Sequence, residues 1–342
     1  MKAIFLVKKG SADKAFELRE TAVPVCGADD VLIKVECFGL NYAEVMARNG
    51  LYGDAPKMPS ILGYEVVGKI EKVGANVAED CIGKRVVAFT RFGGYAEYAT
   101  TNKNAFTEIG EINGGEACCI AVQYATAYFM SYDQSNLHAG DKVLIHAGAG
   151  GVGSALIQLC KLKGCFVIST AGSDNKLGYM KSLGADVVLN YRNQEYLTEI
   201  EKQFGKSSLT ATFNPIGGST YKKDAALINA GGRVILFGGS ERSGKKWGIF
   251  SSLNFVRKMG IILPIGLMMQ SKSIVGVNML KVGDFNAAVL ARCMKNVSEL
   301  VQKNQLKLHV GKTFLANEIG AAHDFLESRK SIGKIVVYWE NK

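Results

Sequence analysis

The sequence predicts an α/β protein with a mostly β leading region followed by a doubly wound parallel sheet. Residues 1–120 alternate short apolar runs with turn residues, as in Val31-Leu32-Ile33-Lys34-Val35, Val66-Val67-Gly68-Lys69-Ile70 and Arg85-Val86-Val87-Ala88-Phe89. From about residue 115 the period changes, and strand-like and helix-like stretches alternate, as a parallel sheet covered by helices requires. Residues 146–153, His-Ala-Gly-Ala-Gly-Gly-Val-Gly, join an apolar strand to a helix start. A chain of 342 residues is long enough for two domains.

The elements follow in order. The amino terminus reads as a first strand, too short in apolar residues for a signal peptide. Helical spacing appears over 116–131. Strands are expected at 142–146, 165–170, 187–189, 211–214 and 233–237, with helices at 153–163, 175–183, 196–204 and 220–228 between them. Residues 243–272 break this rhythm. Here 251–257 is amphipathic, and 260–269 is an apolar run carrying Pro264 and Gly266. The expectation is a core helix or lid packed on the protein itself; the alternative is the lining of an apolar entrance or a bilayer contact. Beyond lie a strand at 273–278, a helix at 286–303, a strand at 309–314, a helix at 316–328 and a last strand at 332–339.

The glycine turn carries most of the chemistry. Gly148, Gly150 and Gly153 have the G-x-G-x-x-G spacing. Side chains at such a turn would keep backbone N–H groups from a pyrophosphate, toward which the new helix points its positive end. Gly151 and Val152 belong to the same turn. On that basis a dinucleotide cofactor is expected. The strand at 165–170 ends in Thr170-Ala171-Gly172-Ser173-Asp174-Asn175-Lys176. An NAD site places an acid at the end of this strand, yet 168–172 holds none. Ser173 and Lys176 suit a 2′-phosphate instead, which favours NADP(H). Asp174 is the awkward neighbour; Ser173 or Asp174 as a plain helix cap, with Lys176 solvated, is the alternative.

Composition narrows the remaining classes. Hydrophobic residues make up 48% and charged residues 21%, so a large core is accessible. The net charge is +10. Basic residues are dispersed, with clusters only at Arg242-Lys245-Lys246 and Arg257-Lys258, and no aromatic residues interleave them. A basic solvated surface that favours an anionic cofactor is expected over binding to nucleic acid or an anionic membrane. Eight cysteines contain no C-x-x-C pair, so neither a zinc knuckle nor a redox dithiol is indicated. Cys118-Cys119 is expected reduced in a buried helix, and the compartment reducing and cytoplasmic. No run of 18 apolar residues occurs. His146 is expected beneath the glycine turn; His138, His309 and His323 show no ligand spacing. The absence of G-x-S-x-G removes support for hydrolase chemistry.

The chain resembles the medium-chain dehydrogenase/reductase superfamily, in its zinc-free quinone oxidoreductase branch. The resemblance rests on Gly39-Leu40-Asn41-Tyr42-Ala43, Arg48-Asn49-Gly50-Leu51-Tyr52, Gly63-Tyr64-Glu65-Val66-Val67-Gly68, Ala125-Thr126-Ala127-Tyr128, the glycine turn, Lys181-Ser182-Leu183-Gly184-Ala185-Asp186 with Asn190-Tyr191, and Phe237-Gly238. Within that branch it is similar to vesicle amine transport protein homologues. This implies a GroES-like, partly open β-barrel over 1–122, completed by 279–342, and a Rossmann domain over 123–278, with the active site in the cleft between them. It also implies a homodimer joined at sheet edges through the strand at 273–278. Zinc relatives ligate their catalytic metal with Cys, His and Cys; the matching positions here are Asn41, Tyr64 and Val122, so no metal is expected.

By the same resemblance, Asn41 stands by the nicotinamide as a donor to its ribose or to a substrate oxygen. Tyr52 and Tyr64 shape the substrate pocket or donate to the substrate, unless they are packed cleft walls. Glu65 is structural. Thr126 contacts the nicotinamide side; Gly148, Gly150, Gly151, Val152 and Gly153 hold the pyrophosphate. Ser173, Lys176 and Tyr191 hold the 2′-phosphate end, and Phe237 and Ser240 form the loop after the fifth strand. Lys334 either meets the cofactor's phosphates or is simply solvated. The expected activity is NADPH-dependent hydride transfer to a quinone or α,β-unsaturated carbonyl, since such acceptors delocalise charge without a Lewis acid. The alternative is an NADPH-bound protein for a lipid or apolar ligand at membrane surfaces.

Overall fold

The computed structural model describes residues 1–242 and 248–339, with side chains described outside 248–252. The chain divides into two compact units, Met1–Thr126 with Met279–Lys342, and Ala127–Asn278.

The first unit is built on β1 (Lys2–Leu6), β2 (Phe16–Glu20), β3 (Asp30–Leu40), β4 (Ser60–Ile61), β5 (Glu65–Val73), β6 (Arg85–Phe89), β7 (Tyr98–Asn102) and β8 (Phe106–Glu108). Its large sheet also takes two strands from the far end of the chain, β15 (Val310–Leu315) and β16 (Lys334–Tyr338), in the order β15-β16-β3-β5-β6-β8, with β7 on β3. Val31, Ile33, Phe38, Leu40, Val66, Val86, Ala88, Ile335 and Val337 fill its core. Two registers position the site. Antiparallel pairing sets Ile335 opposite Leu40, which brings Lys334 beside Asn41. Pairing of Phe38 with Val66 brings Glu65 beside Gly39. Three residues far apart in sequence thus meet at one end of the sheet.

The second unit is a six-stranded sheet, every pair parallel: β9 (Lys142–Ile145), β10 (Phe166–Ala171), β11 (Val187–Asn190), β12 (Leu209–Asn214), β13 (Ile228–Leu236) and β14 (Ser273–Gly276). The order is β11-β10-β9-β12-β13-β14. Numbered within the unit this is 3-2-1-4-5-6, the dinucleotide-binding order, in which the strand order reverses between the first and fourth strands. Val143, Leu144 and Ile145 are fully buried, as a strand covered on both faces must be.

Three features differ from the sequence-based expectation. Two helices were not expected: Tyr42–Arg48 within the mostly β leading region, and Met279–Phe285 after β14. Residues 116–131 are helical but interrupted, with wide turns at Ile120–Tyr124 and Phe129–Asp133. The largest departure is the apolar stretch expected in the core. Pro264–Gln270 is a helix, yet Ile261, Leu263, Ile265, Met268 and Met269 are between 58% and 91% exposed. Lys245 and Lys246 of the basic cluster lie outside the described residues. Cys118 and Cys119 are buried and unbridged; the neighbour of the Cys118 thiol is Cys37, at 3.7 Å.

Candidate active site

In the second unit the turn begins where β9 ends. Ala147 adopts a left-handed backbone, φ 53°, and the helix Gly151–Leu162 starts at Gly150 with no side chain capping it. The glycines do different jobs. A Cβ on Gly148 would collide with Ser169 and Met180, and one on Gly153 would lie 2.7 Å from the Gly148 Cα. Both are needed for the turn to close on itself. A Cβ on Gly150 would meet only the Ala147 carbonyl, at 3.2 Å. It would instead fill the open space in front of the uncapped helix start, where backbone N–H groups and the positive end of the helix are available to an anion. These residues fit a dinucleotide pyrophosphate. Gly151 and Val152 are half-buried in the same turn.

The turn rests on a buried polar network. His146 bonds Thr170 Oγ1 at 3.1 Å and Asp224 at 3.0 Å, and Tyr196 Oη and Asn214 Nδ2 donate to the same Asp224 carboxylate. His146 lies beneath the turn and is 1% exposed.

At the end of β10, Ser173 donates to Asn175, and Asp174 is turned away, accepting from Asn190 Nδ2 at 2.8 Å. Lys176 is half-buried, and its pKa is lowered by burial and by Arg192. The Tyr191 phenol covers Gly172, where a Cβ would come within 2.5 Å of its oxygen. Two cations, a hydroxyl and a phenol thus gather where a 2′-phosphate is expected. Arg192 went unnoticed in the sequence, although it directly follows Tyr191. Phe237 and Ser240 follow β13, half-buried, with backbone N–H groups bonded to Asn214 and Pro215 carbonyls.

In the first unit, Asn41 precedes the helix Tyr42–Arg48, and Glu44 turns back to accept its backbone N–H. The other Glu44 oxygen accepts the backbone N–H of Tyr64 at 2.9 Å. One fully buried carboxyl therefore ties Asn41 to Tyr64, and burial raises its pKa to about 8. Glu44 was also overlooked, though Asn41-x-x-Glu44 is capping-box spacing. Glu65 accepts from Lys334, from Asn41 Nδ2 at 2.9 Å and from the Val122 N–H at 3.0 Å. Lys334 also donates to Asn41 Oδ1 at 2.9 Å and is fully buried.

This corrects the expectation of a solvated Lys334: it is buried, and its ammonium is directed at Glu65 and Asn41. Tyr64 is 3% exposed; among the described residues its hydroxyl makes no hydrogen bond of standard geometry, and the Tyr52 hydroxyl lies beside it. Burial and the neighbouring Tyr52 push its pKa well above the ordinary phenol value. The two rings meet edge-on with centroids 6.1 Å apart. Thr126 is buried at the end of this segment. Among the described residues no group of three or more His, Cys, Asp and Glu side chains is arranged to hold a metal, and no helix is long and apolar enough to cross a membrane.

Comparison with known proteins follows the same division. Residues 151–295 match the family described as zinc-binding dehydrogenase, and 27–128 match the alcohol dehydrogenase GroES-like domain. Human quinone oxidoreductase is 32% identical over 240 residues, covering 70% of this chain and 73% of that protein. The chain belongs to the medium-chain dehydrogenase/reductase superfamily, in its quinone oxidoreductase-like branch. Within that branch, a zebrafish (Danio rerio) synaptic vesicle membrane protein VAT-1 homolog is 28% identical over 99% of this chain and 70% of its own length. Among solved structures, a human synaptic vesicle membrane protein VAT-1 homolog-like protein superposes with a TM-score of 0.85, at 25% identity, over 100% of this chain and 99% of its own. A mycobacterial protein complexed with NADPH gives 0.85, at 25% identity, over 99% of each chain. The chain is thus an α/β oxidoreductase-family protein with a GroES-like domain and a Rossmann-like sheet.

Proposed function

We propose that the protein is an NADPH-dependent oxidoreductase that reduces quinones or α,β-unsaturated carbonyls without a metal ion. The observation that carries this is the turn at 147–153, where a Cβ on Gly150 would meet the Ala147 carbonyl alone before an uncapped helix start. The Lys176, Arg192, Ser173 and Tyr191 group supports NADPH over NADH, since a 2′-phosphate calls for cations and donors. The relative complexed with NADPH supports the same choice.

When bound, the reduced nicotinamide supplies the hydride, two electrons with one hydrogen. The chain's own residues handle the charge left on the acceptor oxygen. The Tyr64 O–H, beside the Tyr52 hydroxyl, is of the kind that suits an oxyanion as a hydrogen-bond donor. Its raised pKa means that it keeps its proton. The proton completing the quinol or ketone therefore comes from water. Asn41 supplies a second donor, and Tyr52 bounds the space beside Tyr64. Asn41, Tyr64 and Val122, at the positions that zinc relatives use, offer no thiolate or imidazole to a metal. The test is NADPH oxidation at 340 nm with a panel of quinones, enones and simple alcohols, with and without chelator. Turnover of the first two classes alone, unaffected by chelator, is expected. NADPH binding with no turnover of any acceptor refutes it.

We also propose that a second copy covers the exposed apolar face at 261–269. This face leads directly into β14, an edge strand whose four residues include no charge or proline to block pairing. Sedimentation equilibrium is expected to give a dimer. A lipid surface is the competing occupant, in keeping with the vesicle-membrane relatives. A monomer that co-sediments with anionic liposomes would replace the dimer with that second reading.

A further inference from the structure

We infer that Lys334 and Glu65 are positioning residues that lock the Asn41 side chain as a donor toward a ligand oxygen. This rests on the functional role proposed for Asn41 and goes beyond it.

The two ends of an amide differ only in what they can pair with. Lys334 Nζ can only donate, and it meets Asn41 Oδ1 at 2.9 Å. Glu65 Oε1 meets Asn41 Nδ2 at 2.9 Å. A flipped amide would set NH₂ against an ammonium and a carbonyl against a carboxyl oxygen, so one orientation is enforced. Each of these contacts uses one bond. The amide carbonyl is occupied by a cation, and one of the two N–H groups goes to Glu65. One N–H remains. The ammonium also draws electron density from the amide oxygen, which strengthens that remaining N–H as a donor.

The surroundings hold the arrangement rigid. Glu65 is anchored by its second oxygen to the Val122 N–H at 3.0 Å. Lys334 and Glu65 are both fully buried. A Cβ on Gly39 would collide with Lys334 and come within 2.6 Å of Glu65 Oε1. A buried ion pair contributes little net stability compared with apolar residues of similar size. Stability therefore does not account for placing one here, whereas fixing a neighbouring amide does.

The ligand oxygen is either the acceptor's carbonyl oxygen or a ribose hydroxyl of the cofactor, and both call for the same donor. The experiment uses the full chain with ¹⁵N-labelled asparagine, without cofactor. The Asn41 side-chain NH₂ signals are assigned by their loss in Asn41→Ala. Lys334→Met should move and broaden them, and Lys334→Arg should restore them. Turnover and NADPH binding are then measured on Asn41→Ala, Lys334→Met and the double variant. Asn41→Ala should cost about 100-fold in kcat, the effect of one lost oxyanion donor, or a comparable loss in NADPH affinity if ribose is the partner. Lys334→Met should cost about as much, and the double variant no more than either. Should Lys334→Met not fold, Glu65→Gln tests the other arm, and the same NH₂ signals should move. Unchanged amide signals in the folded variants overturn the inference, as do losses that multiply in the double variant. A wild-type protein that turns over no acceptor counts against the proposed function alone, because the amide signals are read without it.

Discussion

Replacing Glu44 with glutamine should flatten the protein's stability across neutral and mildly alkaline pH. The wild-type carboxyl is fully buried and titrates near 8 instead of the ordinary 4.5. Between those values the folded chain holds a proton that the unfolded chain releases. Stability from this group is therefore present at low pH and lost as pH rises through about 4.5 to 8. From pH 7 to 9 this group loses about 1.4 kcal/mol in all, about 1 kcal/mol of it between pH 7 and 8. His323 runs the other way, its pKa lowered to about 3 by burial and by Arg48. Its contribution is lost as pH falls below 6.5, so it barely enters between 7 and 9. Glutamine cannot ionise and keeps one acceptor for the two backbone N–H groups. It should cost about 1 kcal/mol at pH 7 and remove the part of the decline that falls between pH 7 and 8, leaving toward pH 9 the decline from buried thiols such as Cys119, whose pKa burial raises to about 12. Urea unfolding at pH 7, 8 and 9 measures both. A Glu44→Gln variant with the same decline as wild type refutes the assignment of the buried proton to Glu44.

Other outcomes follow from the same geometry. Gly150→Val should leave the melting temperature nearly unchanged yet abolish cofactor binding, whereas Gly153→Ala should destabilise, because its Cβ has no room; thermal melts with and without NADPH separate the two. Tyr64→Phe should lower kcat roughly 10- to 100-fold, one oxyanion donor at the weaker end, with little loss of stability, since among the described residues the hydroxyl makes no hydrogen bond of standard geometry. Met268→Glu with Met269→Glu should turn a dimer into a folded monomer by sedimentation; an unchanged mass would show that the face is covered by something other than a second copy.

Much of the second unit was legible, because its information is local. Strand, glycine turn and helix lie within Lys142–Leu162, and one hydrophobic period gives way to another at the turn. The opposite case is Lys334. Its neighbours Asn41 and Glu65 are fixed by strand register between chain segments some 270 to 290 residues apart, which no local pattern encodes. A lysine before a strand therefore looked solvated or available to phosphate. The helix Tyr42–Arg48 went unseen because it is short and buried on nearly every side, which erases its amphipathic stripe. The run at 260–269 misled for a different reason. Apolar residues report that a surface is to be covered, and not whether the same chain covers it.

The account depends most on NADPH lying across the 147–153 turn with its 2′-phosphate at Lys176 and Arg192. Calorimetric titration of the wild-type chain with NADPH and with NADH tests that directly. Tighter binding of NADPH by about 10- to 100-fold is expected, the worth of charged hydrogen bonds to one phosphate, with the preference collapsing in Lys176→Ala. Equal affinities, or no heat from either nucleotide, would contradict it.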